Sequence, residues 1–176
     1  MLQHIVLMNI LVPTWAFFAS RRFQSGALWR SWPWATALQI ALLWGWHSPA
    51  VLPQAAASPA LMLAMHASLI AASAWFWLAI MVMPRDAAWR GIFALLITGK
   101  LFCLLGALLV FAPNVLFDFA ASGHHHHAAA SMSALADQQA AGLLMLVACP
   151  LTYVGIGVVQ ASRWFLSLES DQGSHA

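Results

Sequence analysis

The sequence predicts an all-α fold: a polytopic bundle of about five transmembrane helices, with the N-terminus outside and the C-terminus cytoplasmic. Three observations predict it. First, the 176-residue chain is 62% hydrophobic and only 7% charged, with a mean hydropathy of +0.79. A soluble domain carries about 25% charged residues, so too few charges are present to cover a water-facing surface. Second, the apolar residues gather into stretches of about 20, the length a helix needs to cross the hydrocarbon core. Third, Lys and Arg occur in alternate connections, as their preference for the cytoplasmic side demands. Strands are excluded as spanning elements because an open sheet edge in lipid leaves backbone groups unsatisfied.

Span one covers residues 2–20, with no basic residue before it and Arg21-Arg22 after it, an order that leaves the N-terminus outside and is unlike a cleaved signal. Arg30 lies in the same inner connection. Span two, 35–53, leads to "PQAAASP", which has no basic residue. Span three, 59–83, carries Ala64, Ala67, Ala71 and Ala74 at helical spacing, a small-residue stripe that permits close helix approach. Arg85 and Arg90 follow it, then span four, 91–112. The fourth connection, 113–138, is again free of Lys and Arg, and Arg163 follows span five, 139–162. Trp29, Trp32 and Trp34 at the inner edge, with Trp44 and Trp46 toward the outer one, suit interfacial belts. Pro13 and Pro150 lie inside spans and predict kinks. Residues 1–166 form one transmembrane domain, and "SLESDQGSHA", 167–176, reads as a disordered cytoplasmic tail. The scattered basic residues make no phosphate-tracking stripe, which excludes nucleic acid as a partner. Cys103 and Cys149 sit within apolar runs and form no disulfide framework.

This topology turns scattered polar residues into a constellation. His4 opens span one, His47 lies near the exit of span two, and Asp137, Gln138 and Gln139 open span five, all at the outer face. His66 lies about 10 Å into span three from the same side. An ionisable residue at that depth is costly and points to function. Taken singly, each histidine also has an ordinary reading: His4 as an interfacial polar residue, His47 as a helix cap before Pro49. Together His4, His47, His66 and Asp137 form a candidate ligand set. Met8 lies four residues after His4, and Met62 four before His66, so each pair shares a helix face. Imidazole with thioether suits copper, Cu(I) in particular, although methionine in an apolar chain also simply packs. Met145 and Cys149 share a face of span five and could extend a soft site. The tract His124, His125, His126 and His127 lies in the longest external connection, either as a loose metal-capturing arm or as a tolerated low-complexity loop. Lys100, near mid-membrane, costs on the order of 2.5–3.5 kcal/mol on insertion scales. It is neutral, snorkels inward or meets a polar group of a partner. No phosphate loop, nucleophile elbow or carboxylate pair is present, so nothing supports catalysis.

The segments "MLQHIVLMNILVP" (1–13), "LWGWHSPAVLPQAA" (43–56), "LMLAMHASLIAASAWFW" (61–77) and "LADQQAAGLLM" (135–145), running on to "RWF" (163–165), resemble in order and spacing the integral-membrane cytochrome c oxidase assembly factor CtaG family. The chain resembles a short, five-helix form of it; the Trp usual after "GLLM" is Leu146 here. The resemblance implies a non-enzymatic, multi-pass protein of the bacterial plasma (inner) membrane that matures a haem–copper oxidase by delivering copper to an oxidase subunit. It places His4, His47, His66 and Asp137 on the family's polar motif positions. The alternatives are a membrane cytochrome holding haem between His47 and His66, a structural subunit without metal, and a copper transporter using Cys103 and Cys149. A homo-oligomer stays open.

Overall fold

In the computed structural model, side chains are described for residues 5–22, 27–116 and 134–166, and the backbone also for 128–133 and 167–173. These residues form helices and no strand. Helix α1 (Val12–Ser20) follows a π-helical turn, Leu7–Leu11. Then come α2 (Trp32–Trp46), the short α3 (Leu52–Ala57), α4 (Pro59–Met81), α5 (Ala88–Phe111) and α6 (Ala128–Gly173). Among the described residues, Pro59–Met81, Arg85–Phe111 and Ala134–Leu166 are each long and apolar enough to cross a membrane. The outward surface is apolar to match: Phe18, Leu63, Leu151 and Phe111 are 60–80% exposed, which water would not tolerate over so much of a small protein. The protein is an all-α membrane bundle.

Prolines account for one irregular turn and one early helix end. Pro13 has no N–H, and its ring crowds the carbonyl four residues back, that of Asn9. The chain answers with the wide turn Leu7–Leu11, closed by Val12 N–H on Leu7 O, five residues back. Helix α2 ends at Trp46, short of the expected limit at residue 53. Pro49 disfavours helical backbone at Ser48, and Pro53 is seated in the first turn of α3, where a missing N–H is harmless. The 15 residues of α2 rise only about 22 Å. Its last carbonyls are nevertheless satisfied: His47 N–H bonds Leu43 O at 3.1 Å, and Ser48 N–H bonds Gly45 O at 3.2 Å. Helix α6 runs through Pro150 unbroken and begins well before residue 139. It continues to Gly173, through most of the segment expected to be a disordered tail.

The close helix approach lies elsewhere than the alanine stripe suggested. Ala64, Ala67 and Ala71 are exposed. Instead α5 and α6 meet at Gly106 and Gly142: a Cβ on Gly142 would lie 2.7 Å from Gly106 O, and one on Gly106 would lie 3.0 Å from Gly142 O. Deeper in the bundle Gln39 Nε2 donates to Tyr153 Oη at 2.6 Å, tying α2 to α6; both side chains are fully buried. Tyr153 stacks among Phe76, Trp77 and Phe102.

The basic connections gather at one end. The Arg90 guanidinium lies 5.7 Å from the Trp29 ring, and Arg85 and Arg163 line a single cavity. At the opposite end Trp46 Nε1 donates to Ser68 Oγ at 3.0 Å, and Gln138 clasps the end of α5. The alternation of charge along the sequence is therefore a segregation in space.

Candidate metal centre

The histidine-bearing end holds a small cavity of about 10 Å³, lined by Met8, Asn9, Leu43, His47, Met145 and Cys149 among others. That is about the space of one water-sized guest. Each lining donor is placed by a local feature already described. The wide turn ahead of Pro13 lets consecutive residues Met8 and Asn9 both face inward, at 2% and 7% exposure. The end of α2 at Trp46 puts His47 at the helix terminus, 4% exposed. The Gly106–Gly142 contact brings α6 close enough for Met145 and Cys149 to reach the same space, at 5% and 1% exposure.

His47 Nδ1 lies 2.8 Å from Leu43 O. A carbonyl only accepts, so Nδ1 carries the proton, and in the neutral ring the lone pair is on Nε2. Fixing the tautomer through one nitrogen is how proteins orient imidazole for a metal at the other. His66 repeats the device, with Nδ1 2.8 Å from Met62 O. Asn9 Nδ2 donates to Ile5 O at 2.9 Å, while its Oδ1 finds no partner among the described residues. Residues bearing an imidazole, two thioethers, a thiol and an amide thus line one small cavity. This donor chemistry fits a soft monovalent cation far better than a hard divalent one.

The structure sorts the sequence candidates. Met8, His47, Met145 and Cys149 come together. His66 is half-buried and outside that lining, and Met62, also partly buried, serves it through a backbone carbonyl. Asp137 and Gln139 are exposed. Gln138 is buried as a latch: Leu116 N–H donates to its Oε1 at 2.8 Å, and its Nε2 donates to Leu109 O at 3.3 Å. Among the described residues no three His, Cys, Asp or Glu side chains group as a metal site. His4 and His124–His127 lie outside the described residues. Lys100 is exposed on α5. Asn9, Gln39 and Tyr153 escaped the sequence reading. Their signal was present, since each is a polar group inside an otherwise apolar span.

A family model described as cytochrome c oxidase caa3 assembly factor (Caa3_CtaG) matches residues 1–167. No curated protein and no solved structure matches the chain.

Proposed function

The chain belongs to the cytochrome c oxidase caa3 assembly factor family, and from that premise we propose that it carries copper, as Cu(I), to the oxidase during assembly, in the bacterial plasma membrane. The observation that supports this is the meeting of Met8, His47, Met145 and Cys149 around one cavity beside Asn9 Oδ1. Copper is cargo here, so the site must bind and release rather than turn over a substrate. Neutral thioethers and one imidazole suit that: they prefer Cu(I) over the harder cations in excess around them, and none must be deprotonated to bind. By the basic-inside rule, the cavity lies toward the periplasmic half, away from Arg85 and Arg163.

The test is copper binding by detergent-purified full chain under reducing conditions, read by metal analysis and chelator competition. About one Cu(I) per chain is expected. His47→Ala and Met145→Leu should weaken retention, while His66→Ala and Asp137→Asn should retain it. The opposite pattern would move the site to the rim marked by His66 and Asp137. A Soret band in the pure protein would replace copper by haem as the bound group.

A further inference from the structure

Lys100 is the thirteenth of the 24 residues of α5 (Ala88–Phe111), about 16–18 Å from either end of the helix. Its four methylenes fall well short of that distance, so it cannot snorkel clear of the hydrocarbon. Intramembrane charges nearly always face a bundle interior or a water-filled cavity. Lys100 does neither, because it is exposed on the outer face of α5, in line with exposed Phe93, Leu96, Ile97, Leu104 and Leu108. The helix cannot roll it inward. Its neighbour Gly99 abuts Tyr153, where an added Cβ would sit 3.2 Å from the tyrosine Cβ, and Gly106 is pressed backbone to backbone on Gly142.

Among the described residues no carboxylate meets the Lys100 side chain. The acids of the chain are Asp86, Asp118, Asp137, Glu169 and Asp171, none between residues 88 and 111. On α6 the residue level with Gly99 is Tyr153, and Asp137 precedes it by about 24 Å of helix. A second copy alongside, in the same orientation, has the same gap. We infer that the α5 face centred on Lys100 docks a membrane-spanning helix of a different protein, one carrying an Asp or Glu at mid-membrane. Charge complementarity identifies the occupant, and the flanking Phe93, Leu96, Leu104 and Leu108 supply its apolar seat. Only the further identification of that helix with a subunit of the oxidase under assembly rests on the proposed function.

Two measurements test it. In lipid nanodiscs, purified full chain is titrated with a synthetic leucine-rich spanning peptide bearing one central Asp, or Asn in its place, and association is read by energy transfer. The Asp peptide should bind wild type on the order of tenfold more tightly than the Asn peptide. Lys100→Leu should abolish the difference and Lys100→Arg keep it. Equal association of both peptides with wild type overturns the docking face. In copper-replete membranes, tagged Lys100→Leu should recover several-fold less oxidase subunit than wild type, at unchanged copper content. Unchanged recovery overturns the oxidase as the partner. A wild-type chain that prefers the Asp peptide yet recovers no oxidase would defeat the assembly reading and leave the docking chemistry standing.

Discussion

The two ends of the bundle carry cavities of different size and lining. At one end about 10 Å³ is lined by Met8, Asn9, His47, Met145 and Cys149, all less than a tenth exposed. At the other, about 660 Å³ opens between Arg85, Gln160 and Arg163, with Met81, Met83 and Trp164 around them, and both arginines are exposed. The difference is one of solvation. Guanidinium groups keep their water and need an open rim, because burying an unpaired charge is prohibitive. Thioether and thiol lose little on burial, and the His47 imidazole is buried with its Nδ1 bonded to Leu43 O, so these groups can line a small buried cavity.

The comparison breaks most readily at the helix contact beside the small cavity. Gly142→Leu places side-chain atoms where Gly106 O already stands, and overpacking of this kind costs about 1–3 kcal/mol or more. Thermal unfolding in detergent should show a large loss of stability, and Cys149 should become open to alkylation. Next comes His47→Ala, expected to weaken Cu(I) retention on the order of tenfold or more. Arg163→Gln at the open end should leave it unchanged, and equal losses in competition titrations would erase the distinction between the ends. Third, maleimide labelling followed by mass spectrometry should modify half-buried Cys103 faster than Cys149, which is 1% exposed. Cu(I) should slow Cys149 further and leave Cys103 unaffected if the cavity is the site. The smallest effect belongs to Tyr153→Phe. Losing the 2.6 Å bond to Gln39 should cost about 0.6–1.7 kcal/mol, with copper retention intact. A loss of copper there would mean that the middle of the bundle, and not only its end, shapes the cavity.

Much of this was legible before any coordinates. Alternating Arg-bearing connections specified which helix ends share a side, because the sidedness of basic residues is a property of each loop taken alone. The same local reasoning picked out His4, His47, His66 and Asp137 as the ligand set, with Met8, Met145 and Cys149 only as accessory soft donors, and the cavity gathers His47 with those three. The helix limits were less legible. Span two shortened to Trp46 because Pro49 and Pro53 acted against an apolar run that hydropathy reads as continuous. The alanine stripe of α4 was read as permitting close approach, yet Ala64, Ala67 and Ala71 are exposed and only Ala74 packs on the core. Spacing along one helix says which residues share a face but not which face finds a neighbour.

Composition and the placement of arginine determined by themselves that this is an α-helical membrane protein with its basic connections at one end. Those facts follow from transfer energies that each segment has alone. Only the tertiary structure decided that Met8, His47, Met145 and Cys149 meet around a cavity and that Gln138 is a latch. It alone decided, too, that Lys100 faces outward. These depend on helix rotation, which the wide turn before Pro13 and the Gly106–Gly142 contact set jointly. A hydropathy pattern is the same for every rotation that keeps the apolar residues out of water, and in lipid nearly every rotation does.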